Sequence, residues 1–147
     1  MMMLEAMRGL FWRIPAALSL ILAGCIPYPV YKTLQPAATL TVLDESSSPV
    51  VGAEVQLVAN AYPYGWERSR KIKTTGADGV ARFESHRQWR MESLMLHGFQ
   101  VFFWNWCVRR DGYASFFTAH GNASEFKDVL TVQLVPGVST PCPEAFR

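Results

Sequence analysis

From residue 37 onward the chain reads as short runs in which apolar and polar residues alternate, broken by clusters of turn formers. "ATLTVLD" places Leu40 and Val42 on one face and Thr39, Thr41 and Leu43 on the other. A strand sends successive side chains to opposite sides, so this pattern predicts a half-buried strand. "AEVQLVA" repeats it with Val55 and Leu57 on one side, and "DESSSPVVGA" between the two is turn chemistry. "RKIKTTGADGVARF" reads as a hairpin, with Gly76-Ala77-Asp78-Gly79 as its turn and Val80 and Phe83 re-entering the core. "FQVFFWNWCV" is apolar on both faces: Phe102, Trp104 and Trp106 share one, while Phe99, Val101, Phe103 and Cys107 share the other. That predicts a central strand with one face in the core. The other face is expected either to be covered by the connection over residues 86–98 or to form an exposed patch for a partner, a glycan or a membrane. "RRDGY" is a further turn, and "ASFFTA" and "DVLTVQLV" add two strands, the last with Leu130, Val132 and Leu134 on one face. "HRQWRMESLMLHG" fits two readings, since Met91, Leu94 and Met95 are spaced for one helical face but the stretch equally suits a crossing between sheets. About seven short strands with little helix predict an all-β, antiparallel β-sandwich.

A different pattern precedes the strands. "MMMLEAMRGLFWRIPAALSLILAG" carries Arg8, Arg13 and Glu5, and then no charge over residues 14–23. A basic start followed by a short apolar run is the pattern of a secretory signal. The run is too short to cross a bilayer core, which takes about 20 residues as a helix. It ends in "LAGC", Leu22-Ala23-Gly24-Cys25, which resembles the lipobox of bacterial lipoproteins. The resemblance implies that residues 1–24 are a signal peptide removed just before Cys25, that a lipid is joined to the Cys25 thiol, and that the new amino terminus takes a fatty acid such as palmitate. Two or more such chains anchor a protein stably without a transmembrane helix. Ile26 stands where an aspartate holds Gram-negative lipoproteins in the inner membrane, so the resemblance implies the outer membrane, facing the periplasm. The alternative is an uncleaved apolar helix with an incidental cysteine. The start lies at Met1 or at Met7, which would give the tidier leader. Residues 25–36, "CIPYPVYKTLQP", hold Pro27, Pro29 and Pro36 and read as an extended tether. Residues 37–137 then form the sandwich domain and residues 138–147 a C-terminal tail.

Within the domain, "TLTVLDESSSPVVGAEVQLVAN", "TTGADGVARFE", "CVRRDGYAS" and "LTVQLVPG" together resemble a carboxypeptidase-regulatory-like or transthyretin-like domain. The matching positions are Pro49, Gly52, Ala53, Val55 and Leu57, then Thr75, Gly79 and Phe83, then Gly112 and Tyr113. The turn glycine usual before the proline is replaced by Ser48, and the aromatic strand is heavier than in the family. The resemblance implies an Ig-like, transthyretin-like sandwich serving as a structural, adhesive or accessory module. Such a fold does not by itself give a function.

Composition adds exclusions. A formal charge of only +2, with half of the residues hydrophobic, argues against a nucleic-acid binder, which would show a strong basic patch. With Cys25 consumed by lipid, Cys107 and Cys142 remain as an even pair in an oxidising compartment, where disulfides persist. A bridge between them is expected, with two separate thiols as the alternative. Tyr62, Tyr64 and Trp66 lie beside Arg68, Arg70, Lys71 and Lys73. They form a candidate ligand-binding set, since aromatics next to cations can stack on sugars or meet acidic headgroups. The plain reading of that loop is an exposed hairpin whose lysines protect a sheet edge. His86, His97 and His120 are dispersed without metal-ligand spacing, so neither a metal nor another cofactor is expected. Ser85-His86 makes no triad, Asp78 lacks further carboxylates for calcium, and the end "PCPEAFR" lacks the Tyr-Arg-Gly-Ser of the transthyretin-related hydrolase of 5-hydroxyisourate. The expected function is therefore non-enzymatic: a lipid-anchored envelope protein held to the membrane through Cys25, with a structural or protein-binding role and an envelope protein or a glycan as partner. A glycan-binding module using the three aromatics is the alternative, and a hydrolase with an unrecognised site comes third.

Overall fold

Alternation gives strands wherever it was read. A computed structural model of the chain describes residues 27–93 and 100–144, and Cys25, Leu94, Met95 and His97 lie outside them. The nine strands are β1 (Tyr28–Gln35), β2 (Ala38–Leu43), β3 (Glu54–Tyr62), β4 (Trp66–Thr74), β5 (Val80–Phe83), β6 (His86–Glu92), β7 (Val101–Arg109), β8 (Phe116–Phe117) and β9 (Val129–Gln133). A 3-10 turn, Ala123–Glu125, precedes the last. Chain contacts divide the protein into a smaller unit, Met1–Val30 with Trp89–Gln100, and a larger one, Tyr31–Gln88 with Val101–Arg147. Strands β1 and β6 pair with each other, and residues 28–30 and 89–92 of them belong to the smaller unit.

The larger unit is a sandwich of a three-stranded sheet, β5-β2-β9, and a four-stranded sheet, β4-β3-β7-β8. Its core is filled from both: Leu40, Val42, Ala81, Phe83 and Val132 from the first, Val55, Leu57, Trp106 and Val108 from the second. The alternation read in β2 holds, with Ala38, Leu40 and Val42 buried and the residues between them half-buried. Val132 and Leu134 are buried and Leu130 packs against them, as the pattern predicts. A smaller cluster of Ala59, Ala61 and Phe102 continues this side of the four-stranded sheet and takes in Leu34 and Trp104. Trp104 Nε1 donates to the Leu34 carbonyl at 2.9 Å, and Gln35, which is buried, donates to the Glu84 carbonyl at 2.7 Å. The proline-punctuated segment expected as a tether therefore joins the fold at β1, before residue 37.

The four-stranded sheet is antiparallel throughout, and in the three-stranded sheet β2 pairs antiparallel with β5 but parallel with β9. One expectation about connectivity is corrected. Strands β4 and β5 do not form a hairpin, because they belong to different sheets, and the turn between them is a corner of the sandwich. Thr75 builds that corner. Its hydroxyl donates to the Val50 carbonyl at 2.6 Å and accepts from the Ala53 amide at 2.9 Å. Ala81 and Phe83 carry the burial in β5, while Val80 is only half-buried. The chain then passes Gly79 at φ +70°, where a Cβ would stand 2.7 Å from the Val42 carbonyl oxygen and 2.9 Å from Pro49 Cβ. Gly79→Ala should therefore lose about 2–3 kcal/mol, from a left-handed backbone and a collision with main chain, measurable as a lower urea midpoint at unchanged slope.

The "DESSSP" turn is organised by Asp44. Its Oδ1 accepts from the Ser46 hydroxyl, the Ser46 amide and the Ser48 amide at 2.7–2.9 Å. The Ser46 hydroxyl first, and the Ser48 amide after it, hold the Asp44 carboxyl below its ordinary pKa. The left-handed residue here is Ser47, at φ 63°, one position before Ser48.

Candidate functional site

The outer face of the four-stranded sheet carries the most built arrangement of polar side chains in the larger unit, and a bulge creates it. Strand β3 pairs with β4 so that Asn60 faces Glu67 but Ala59 faces Ser69, with the register shifting between Ala59 and Asn60. Arg68 is thus the extra residue. In an unbroken strand Glu67 and Arg70, three apart, would point to opposite faces. The bulge turns both outward. Arg70 then donates from Nε to Glu67 Oε1 at 3.0 Å and from Nη2 to Glu67 Oε2 at 2.7 Å, a two-pronged pair. Its Nη1 reaches Gln56 Oε1. The hydrogen-bonded Glu67 carboxylate raises the already high pKa of the guanidinium.

The same guanidinium holds the C-terminal tail, with Nη2 donating to the Pro143 carbonyl at 2.7 Å. Cys142 is joined to Cys107 by a disulfide, Cα to Cα 5.9 Å, and Ser115 exchanges two hydrogen bonds with the main chain of Thr140 at 2.7 and 2.9 Å. Thr140, Cys142 and Pro143 are three successive pins, so the tail lies as a strap along the outer face. It bounds a cleft of about 210 Å³ whose walls include Val58, Asn60, Phe103, Phe117, Thr118 and Pro143.

Among the described residues β7's outer face is covered in part. Phe103 and Cys107 are buried, but the described partners are Tyr62, with its ring 5.2 Å from Phe103, and the strap. Residues 86–92 of the expected cover form strand β6 instead, and residues 94–98 lie outside those described. A strap anchored by a cystine can cover a sheet face that the apolar pattern alone leaves open.

The three aromatics proposed as a ligand site are split. In the ladder Tyr62 pairs with Val101 and Trp66 with Ala61. Because neighbours along a strand alternate, Tyr62 lies on the outer face and Trp66 on the side of the buried Ala61. Pro63, Tyr64 and Gly65 make the turn, with Gly65 at φ +70° held by its amide to the Ala61 carbonyl at 2.9 Å and by Asn60 Nδ2 to its own carbonyl at 3.0 Å. Tyr64 stacks on Trp66, centroids 4.6 Å apart, and Arg68 stands 5.7 Å from the Trp66 ring. The pair Tyr64 and Trp66 thus forms a small, exposed aromatic shelf with a cation at its side, without Tyr62. Strand β4 is a sheet edge. Lys71 and Lys73 lie along it, and Lys73 Nζ donates to the Arg82 carbonyl at 2.6 Å, in keeping with the edge-protecting reading.

Catalytic chemistry finds few free groups in the cleft. Asn105 Oδ1 is committed to the His120 amide at 2.6 Å and the Thr118 hydroxyl at 3.0 Å. His120 Nδ1 lies 3.6 Å from Glu125 Oε2. Among the described residues no group of three His, Cys, Asp or Glu side chains could hold a metal ion. Sequence reasoning named Arg70 only as a cation beside the aromatics and missed Glu67, since their pairing depends on a bulge that has no local signature. No family model, curated protein or solved structure matches the chain.

Proposed function

We propose that this protein is a lipid-anchored component of a bacterial cell envelope, held by Cys25 in the outer membrane facing the periplasm, whose sandwich has a structural or protein-binding role. The observation that carries the reading is "LAGC" at the end of a basic-then-apolar leader. The Cys107–Cys142 bridge supports it, because disulfides persist in exported proteins and are rare in the cytosol. The resemblance to transthyretin-like accessory domains supports a non-enzymatic role.

Cys25→Ser tests the anchor. In a host that processes lipoproteins, the wild-type chain is expected to take up labelled palmitate and to begin at residue 25, while the variant takes up none and keeps its leader. Equal incorporation in the two would refute the anchor. A second reading rests on the Tyr64–Trp66 shelf, which is suited to stacking on a sugar ring beside a cation. A Trp66→Ala variant that loses retention on peptidoglycan would favour this glycan-binding role, and one retained like wild type would remove it.

A further inference from the structure

The smaller unit brings together residues far apart in sequence. Its described parts are residues 27–30, 89–93 and 100. Trp89 is 69% exposed, Met91 62% and Tyr28 36%. Trp89 and Met91 are two apart on β6 and so share a face. A large aromatic ring and a thioether facing solvent on one strand are a poor choice for water alone, and Tyr and Trp are enriched where one end of a side chain is apolar and the other wet.

The sequence supplies the occupant. Tyr28 is the third residue after Cys25, and an extended chain advances at most about 3.6 Å per residue. The Cα of Tyr28 therefore cannot stand more than about 11 Å from the Cα of residue 25. One headgroup layer is about 5–8 Å deep, half of the difference between about 40–45 Å for a whole bilayer and about 30 Å for its hydrocarbon, so the start of β1 is held close to the bilayer surface. Strand β6, which carries Trp89 and Met91, pairs with β1, so the two exposed side chains stand on the strand beside the anchored one. An exposed indole and a thioether beside a lipid anchor match the interface of a phospholipid bilayer, where Trp is enriched.

We propose that Trp89 and Met91 form a membrane-interface contact, seating this part of β6 in the phospholipid headgroups beside the anchor. This rests on Cys25 being lipidated. A single-point anchor would leave the domain free to swing, whereas a second contact fixes which side of the unit meets the bilayer. One experiment separates the two claims. The processed protein is reconstituted into vesicles of phosphatidylethanolamine and phosphatidylglycerol, floated, and examined by tryptophan fluorescence with lipids brominated near the headgroup. The Trp89→Phe variant supplies the reference, because Trp66, Trp104 and Trp106 also fluoresce in the processed chain. The expected result is that both proteins float, and that the wild-type minus variant spectrum is blue-shifted and quenched by the brominated lipid but not by aqueous iodide. If both float and the difference spectrum is quenched by iodide alone, Trp89 is in water and this contact is wrong while the anchor stands. If neither floats and the Cys25 peptide carries no lipid mass, the anchor itself fails and takes the contact with it. If the difference signal is shielded from both quenchers and the floated protein cross-links to itself through residues 89–91, a second copy covers the face and the membrane contact is overturned.

Discussion

Replacing both cysteines of the bridge, Cys107→Ala with Cys142→Ala, is expected to destabilise the fold by about 4 kcal/mol. The cystine closes a loop of 35 residues, and closing a loop of that length removes about 4 kcal/mol of freedom from the unfolded chain. Against a total of about 5–15 kcal/mol for a domain of ordinary stability, that is a large share. The loss should split into two parts that a second variant distinguishes. Arg70→Gln keeps the bridge but removes the donor to Pro143 and leaves Glu67, itself mostly buried, without its cation. A broken hydrogen bond to a charged group costs about 1.5–3 kcal/mol, so this variant should fall less far than the double alanine. Urea unfolding of the three proteins checks the order. The double variant should also lower the protection of residues 140–143 against hydrogen exchange, since only Ser115 and Arg70 would then pin that end. If the double alanine unfolds at the wild-type midpoint, the strap is decoration on a sandwich that stands without it.

The strap and the bulge also show where sequence reasoning stopped. Alternation in "ATLTVLD" and "DVLTVQLV" placed Leu40, Val42, Val132 and Leu134 correctly, because burial on one face of a strand imposes period two whatever the strand pairs with. Pairing partners leave no such trace. "TTGADG" has the chemistry of a tight reversal, and the same residues serve a hairpin within one sheet or a corner between two; only the placement of Thr75 under Val50 and Ala53 decides it. The parallel β2–β9 pair joins residues some ninety positions apart, a distance at which no local preference acts. Pro27 and Pro29 suggested a free tether, yet proline is tolerated in edge strands, and β1 pairs with β6 alone. At the candidate site the aromatics were legible and their grouping was not. Tyr62 and Trp66 flank one turn, and alternation across it sends them to opposite faces. Glu67 and Arg70 needed the shift between Ala59 and Asn60 to meet at all.

The strand that carries the outer face is held from its inner one, which gives the second large effect. Trp106→Ala is expected to cost about 3–5 kcal/mol, the usual range for deleting a buried indole. Trp106 is 1% exposed and reaches from β7 to the opposite sheet, meeting the Phe83 ring edge-on at 5.6 Å and stacking on Phe126 at 5.4 Å. Its Nε1 donates to the Lys127 carbonyl at 3.2 Å, tying down the segment that leads into β9. Trp106→Phe separates packing from hydrogen bonding. It keeps one ring between Phe83 and Phe126 but leaves the Lys127 carbonyl without its donor, for a loss of about 1–3 kcal/mol. Urea midpoints should therefore rank wild type above phenylalanine above alanine. A phenylalanine variant as unstable as the alanine one would mean that the indole N–H, and not the ring, secures this corner. The consequence reaches the other side of the sheet, because Trp106 and Cys107 are adjacent and a strand cannot slip on one face alone. Any shift of β7 that fills the alanine cavity moves Phe103 and Cys107 under the strap. Near-ultraviolet dichroism from the cystine and the aromatic rings should thus change in Trp106→Ala even under conditions where the chain is still folded.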